Sequence, residues 1–302
     1  MEINLVPEKL RRHEISGRIE IVNGHGGFPL VKIRTPWSLA EIYLHAAHVT
    51  QFQKNGEPPL LFLSANSHFA AGKAIRGGVP ICYPWFGPRA GEPAHGFARF
   101  TAWELVKTAA APDGTVTVCF ALPELPDREA WKNLRTEFVV TIGETLTMEL
   151  IATNESCDET LAIENCLHTY FQVGDISAVT LAGLEVAPFD DFAFGAGGAR
   201  RLAENAPLRI AQETNRVYPD NAATVEIIDE RLQRKIRVAK SNSNSTVVWN
   251  PWTTQKMPED FDQAEYRQMV CVESGNVKQD KILLAPGKTS ALKVVLSSVT
   301  LK

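Results

Sequence analysis

The chain has 302 residues, 44% hydrophobic and 22% charged, enough to bury the core of one large domain or two ordinary ones. A formal net charge of −4 and a pI near 6.0 give no general attraction to nucleic acid or to an anionic membrane, so neither is expected as a partner. No apolar run reaches the roughly 18 residues that a membrane-spanning helix needs.

Taken in chain order, Met1 to Glu14 carries Glu2, Glu8, Lys9, Arg11, Arg12 and Glu14 with no apolar stretch, so no secretory leader is expected. Asn23 to Pro29 and Asn55 to Pro59 are turn-forming breaks. Within the first, Gly24-His25-Gly26-Gly27 reads as a β-turn; Pro29 spoils the dinucleotide fingerprint and no helix follows. His45 and His48, three apart on a strand-like stretch, should face opposite ways and make a poor metal pair. After the turn Pro112-Asp113-Gly114, Val116, Val118 and Phe120 alternate with Thr115, Thr117 and Cys119. Asp127 to Leu134 has the spacing of two helical turns capped by Asp127. Leu146, Met148 and Leu150 then alternate with Thr145, Thr147 and Glu149.

Beyond the break Gly195 to Gly198, Val225 and Ile227 alternate with Thr224 and Glu226, and Ile236 and Val238 with Lys235 and Arg237. Pro258 to Gln268 is a second short helical candidate. Gly287-Lys288-Thr289 imitates the end of a P-loop, but Ile282 stands where its first glycine belongs, so a turn before the last strand is expected.

Period-two alternation with one solvated face is the mark of antiparallel sheets. Helical periodicity is nearly absent, and neither a repeat nor a polar linker divides the chain. The expectation is all-β: one large antiparallel β-sandwich over residues 1–302 with a few short helical turns. Five cysteines, odd in number and without a C-x-x-C pair, read as reduced, mostly buried thiols of a cytoplasmic protein, with no metal expected. The absence of a Gly-x-Ser-x-Gly elbow weakens a hydrolase reading.

Chemistry-bearing residues cluster in four places. Arg76, between Gly72 and Pro80, is suited to offer a fork of donors to a phosphate or vicinal hydroxyls, although alone it reads equally as a surface arginine in a turn. In His95-Gly96-Phe97-Ala98-Arg99 the two polar side chains share a face if the stretch is extended. His168 sits in the apolar strand-like stretch Cys166 to Phe171, and Glu273 ends the apolar stretch Met269 to Val272. Burial should depress the imidazole pKa and raise that of the carboxyl; each alone could equally be a paired structural charge.

Gly72 to Gly87, His95 to Arg99, His168 to Ile176, Thr214 to Tyr218, Val248 to Trp252 and Val272 to Val277, in that order, resemble the hexose-6-phosphate mutarotases (glucose-6-phosphate 1-epimerases) of the aldose-1-epimerase superfamily. The resemblance runs from about Phe28 to the C-terminus. It implies a galactose-mutarotase-type β-sandwich with an open cleft on one sheet, needing no cofactor. It also implies His168 as general acid, Glu273 as general base, and Arg76, His95 and Arg99 as sugar and phosphate ligands. Relatives commonly carry Asp at the sugar-contacting position held by Asn215, and Lys at that held by Gln255; Lys256 is not assigned. The expected activity is anomer interconversion of an aldohexose 6-phosphate, glucose 6-phosphate first, by a monomer. Unphosphorylated sugars, or a non-catalytic carbohydrate-sensing module, are the alternatives.

Overall fold

The computed structural model describes residues 6–195, 197–201 and 203–301. Part of the N-terminal segment read above, residues 1–5, and Ala196 in the glycine-rich break lie outside the described residues. The alternating stretches build the larger of two main sheets. Val116–Ala121 buries Val116, Val118 and Phe120, and Leu146–Asn154 buries Leu146, Met148, Leu150 and Ala152. These strands belong to a nine-stranded antiparallel sheet whose centre pairs Arg234–Ser241 with Thr289–Thr300, and Thr289–Thr300 with Leu146–Asn154.

The second sheet has eight strands. Its neighbour order is Ala199–Arg201, Phe189–Asp191, Thr214–Tyr218, Ser245–Asn250, Met269–Asn276, Asn165–Leu167 and Ile81–Cys82, with Tyr170–Gln172 also paired to Met269–Asn276. Phe120, Phe138, Leu150 and Leu296 of the first sheet share one buried cluster with Leu167, Phe171, Val248, Val270 and Val272 of the second. A smaller four-stranded sheet, from Ile19–Asn23 to His48–Lys54, adds Ile21, Val31 and Ile42 to that cluster. Among the described residues no helix is long and apolar enough to cross a membrane.

Core packing fixes what the second sheet presents on its other face. Burying each aliphatic side chain contributes about 1.5–3 kcal/mol. A one-residue slip of Met269–Asn276 would trade Val270 and Val272 in the core for Cys271 and Glu273, so register is strongly specified. The resulting rows on the outer face are Asn215, Trp249, Cys271 and Tyr170, and beside them Val217, Val247 and Glu273. Residues from four separate strands meet because those strands are hydrogen-bonded neighbours.

Several local expectations change. Asp127 to Leu134 holds only a 3₁₀ turn, Glu129–Trp131, without a side-chain cap; Leu134 already begins the strand Leu134–Ile142. Pro258 to Gln268 forms the 3₁₀ segment Gln263–Gln268, closed by a capping box between Asp262 and Glu265. Gly24 to Phe28 makes the expected β-turns, the Gly27 and Phe28 N–H groups donating to the Gly24 and His25 carbonyls with Gly26 and Gly27 at φ of 66° and 73°. The segment after Gly287 is the expected turn into the last strand, Thr289–Thr300.

Candidate active site

The Gly72 to Pro80 loop is held by histidines that the sequence set aside. His45 Nε2 lies 2.8 Å from the Lys73 carbonyl and His48 Nε2 lies 2.8 Å from the Gly77 carbonyl, so both engage one loop instead of facing apart. Gly77 and Gly78 have φ of 113° and 60°, and a Cβ on them would lie 2.4 Å from the Phe62 carbonyl oxygen and 2.3 Å from that of Val49. Only glycine fits there, and the packed pair sets the position of Arg76. Arg76 is not a free cation: its Nε donates to Asp260 Oδ2 at 3.0 Å, and Asp260 is almost wholly buried.

The His95 to Arg99 segment is not extended. His95 has φ of 64°, Gly96 follows at 74°, and Ala98–Phe100 is a 3₁₀ turn. Even so, His95 and Arg99 line the same cleft, because the reversal at Gly96 folds the turn back against the Tyr83 carbonyl. The Gly87 N–H approaches His95 Nδ1 at 3.4 Å. The Arg99 Nη2 donates to the Ala94 carbonyl at 2.8 Å, while its Nε is buried without a hydrogen-bond partner.

The strand-like stretch at Cys166 is broken. Asn165–Leu167 and Tyr170–Gln172 are separate strands, with His168 between them and its N–H donating to the Pro80 carbonyl at 2.9 Å. Glu273 lies inside Met269–Asn276, not at its end. His168 Nε2 and Glu273 Oε1 are 3.1 Å apart, His168 being 12% exposed and Glu273 1%. The imidazole stacks on Tyr170 at 4.9 Å and stands edge-on to Trp249 and His95 at 6.1 and 6.0 Å. The other carboxylate oxygen of Glu273 accepts from the Cys166 thiol at 3.5 Å.

Burial dominates the titration of this pair. It holds His168 well below the usual imidazole range, and the Arg99 charge acts in the same direction. It pushes Glu273 up to about 8, opposed by the Cys166 thiol and Arg99. His95 falls to about 3, through burial and then Arg99 and Lys278. The His168–Glu273 contact thus holds one proton near neutral pH. Burial favours that proton on the carboxyl, leaving two neutral groups rather than an ion pair. The two groups that the resemblance implies as general acid and general base are thus in direct contact and share a proton.

Around it the second sheet and its loops enclose a cleft of about 340 Å³, which suits a small ligand. Four cationic side chains line it (Arg76, Arg99, Lys256 and Lys278) against one lining carboxylate, Glu273. In a chain of net charge −4, that is a local anion-attracting field. Asn215 is on the wall beside Trp249, and Gln255 accepts a hydrogen bond from the Trp249 indole at 3.0 Å. A larger hollow of about 720 Å³ between Glu14 and Gln51 offers no comparable chemistry: Lys32 pairs with Glu41 there, and Glu14 accepts the Ile21 N–H.

All six residues read from the sequence therefore line this one cleft. Asp260 and Lys278 went unrecognised. Asp260 fell within a presumed helix, and Lys278 carried no motif beyond following Glu273 closely. Cys271 was dismissed as a metal ligand for want of a paired cysteine, yet one donor atom each from His168, Cys271 and Glu273 lies within 4.8 Å of the others. Burial holds the Cys271 thiol protonated, and two members of the group already share a proton, so a cation there would have to displace both protons.

The aldose 1-epimerase family profile matches residues 29–297. A provisionally named glucose-6-phosphate 1-epimerase of Cenchrus ciliaris is 32% identical over 293 residues, covering 93% of this chain and 88% of its own. One from Salmonella typhimurium is 35% identical over 255 residues, covering 81% and 82%. A crystal structure of a provisionally assigned mutarotase from Salmonella typhimurium superposes with a TM-score of 0.85 at 30% identity, covering 95% and 96% of the two chains. A provisional aldose 1-epimerase structure from Escherichia coli K12, at 14% identity and TM-score 0.69 over 94% of this chain and all of the other, shares the fold.

Proposed function

The chain belongs to the aldose 1-epimerase family, an isomerase of the mutarotase type on a galactose mutarotase-like fold, and from that premise we propose that it interconverts the α and β anomers of an aldohexose 6-phosphate. The observation that carries the reading is the His168–Glu273 contact at 3.1 Å in a cleft lined by four cations.

Opening a hemiacetal requires removal of the C1 hydroxyl proton and delivery of a proton to the ring oxygen. A pair holding one proton has one acid and one base at all times. In the empty cleft burial keeps the proton on Glu273. A sugar that enters the cleft donates hydroxyl hydrogen bonds to the carboxylate oxygens, which stabilises the charged form. The proton then resides on His168 Nε2, ready for the ring oxygen, while Glu273 accepts the C1 proton. Once the open aldehyde has rotated about C1–C2, the same groups act in reverse and the ring recloses on the other face. Each positioned transfer contributes on the order of 10²–10⁴ in rate. The stacked Tyr170 and edge-on Trp249 confine the imidazole to the orientation this needs.

His95 stays neutral, because burial and Arg99 oppose its protonation, and serves as a hydrogen-bonding partner for sugar oxygens. Asn215 does the same without the charge of an aspartate. The phosphate supplies the negative charge that the cleft lacks, and Arg76 and Arg99 orient it. A single-domain monomer acting on sugar phosphate accompanies this reading. Anomer exchange of glucose 6-phosphate and of glucose, each against its spontaneous background, tests it. The proposal expects a clear preference for the phosphorylated sugar; equal acceleration of both would assign the enzyme to free sugars.

A further inference from the structure

Of the cations in the cleft, Arg76 shares its charge with Asp260, which accepts from its Nε at 3.0 Å. Among the described residues, no carboxylate comes within ion-pair distance of Arg99 or Lys278. Lys278 is also built into place. It follows the strand that bears Glu273 and opens the 3₁₀ turn Lys278–Asp280 with φ of 57°. Its N–H donates to Glu164 Oε1 at 2.5 Å, while the Phe86 N–H donates to Glu164 Oε2 at 3.0 Å. One carboxylate therefore ties the lysine backbone to the wall that includes Phe86 and Gly87. At the far end of the turn, Asp280 accepts the Ser245 hydroxyl at 2.6 Å.

The side chain is directed by what it meets. Its ammonium lies 5.4 Å from the Phe192 ring centroid, and a Cβ placed on Gly87 would be 3.3 Å from Nζ. A side chain at position 87 would thus press on the ammonium; glycine leaves it room over the cleft wall. The charges of Lys278 and Arg99 both reach His95, so they act on the same part of the cleft. Lys278 is exposed, and an ammonium without a carboxylate partner, on a tied backbone beside an aromatic face, stands at the cleft wall free to take an anion.

Resting on the sugar-phosphate reading above, we propose that Lys278 is a phosphate ligand and, with Arg99, sets the preference for phosphorylated over free sugar. The proposed contact is remote from C1, so its energy fixes orientation and leaves the proton transfers untouched. Losing one charge-assisted contact to phosphate weakens binding about 10- to 100-fold.

The test compares wild type, Lys278→Ala and Lys278→Arg on glucose 6-phosphate and on glucose, with inorganic phosphate as inhibitor. Expected for Lys278→Ala is a KM for glucose 6-phosphate raised about 10- to 100-fold with kcat within about twofold, on the same contact energy. The inhibition constant of phosphate should rise in parallel, kcat/KM for glucose should fall far less than that for glucose 6-phosphate, and Lys278→Arg should recover most of the loss. An unaltered KM and phosphate inhibition in Lys278→Ala, or equal losses on both sugars, would overturn the assignment. If wild type itself shows no preference for the phosphorylated sugar, the function reading fails first; a preference that survives undiminished in Lys278→Ala sinks only the role of Lys278.

Discussion

Glu273→Gln separates the chemistry of the site from its stability. The amide keeps the size of the side chain but can neither take the C1 proton nor share one with His168. The account predicts a kcat reduced by on the order of 10²–10⁴, while the Kd for glucose 6-phosphate stays within a few-fold. Stability should move the other way. A carboxyl whose folded pKa is raised stabilises the fold fully below its unfolded value, 4.5, and that contribution is lost as pH rises through about 8. His168, lowered from 6.5, has the opposite sign, but its contribution is complete above 6.5. Between pH 6.5 and about 8 only the carboxyl distinguishes the two proteins. At 1.36 kcal/mol per unit, that window of about 1.5 units is worth about 2 kcal/mol. Denaturant unfolding of both proteins at the two ends of the window reads the quantity directly. The variant should gain on wild type by about 2 kcal/mol and then run parallel above pH 8. A difference that stays constant across the window, or a variant that turns over normally, would refute the assignment of a buried, proton-holding base.

The remaining predictions use the same residues. On glucose, which does not titrate in this range, kcat/KM of the free enzyme should fall with a slope of one above about pH 8 as the pair loses its single proton. It should hold level down to well below pH 6.5 before His168 takes up a second. A mid-point near 6.5 on the acid side would contradict a desolvated His168. Cys166→Ala removes a hydrogen bond that favours the Glu273 carboxylate, so the alkaline limb should move to higher pH. An unmoved limb would show that the thiol plays no part in tuning it. Arg76→Ala should raise KM for glucose 6-phosphate more than for glucose. It should also lower stability by about 1–3 kcal/mol, because Asp260 is left nearly buried without its partner. Adding Asp260→Asn should restore stability without restoring KM, and full recovery of both would reduce Arg76 to a structural role.

The sequence carried more of the sheets than of the turns, for a physical reason. Period-two patterns such as Val116 to Phe120 and Leu146 to Leu150 record a buried face directly, and those faces pack as expected. Short helical signals at Asp127 and Pro258 were weak because a turn or two of apolar spacing does not separate α from 3₁₀ geometry. Arg76, His168 and Glu273 were legible because each broke its local pattern, an arginine among glycines and a histidine and a glutamate in apolar stretches, whereas Asn215 was reached only through the family resemblance. The direct contact of the histidine with the glutamate was not legible. Whether His168 and Glu273 flank a gap or touch depends on strand pairing between Asn165–Leu167, Tyr170–Gln172 and Met269–Asn276, which no local pattern encodes. The same holds for Arg76, whose partner Asp260 comes from a distant loop, and for Lys278, whose backbone is tied by Glu164 and whose ammonium lies over Phe192.

Magnetisation-exchange spectroscopy of [1-¹³C]glucose 6-phosphate at neutral pH, with sub-stoichiometric protein, measures the α-to-β rate while both anomers are at equilibrium. A rate that climbs in proportion to protein concentration, and exceeds that on [1-¹³C]glucose, is the result expected of an imidazole and a carboxyl passing one proton across a cationic hollow. Exchange no faster than in buffer alone would leave that pair without a reaction.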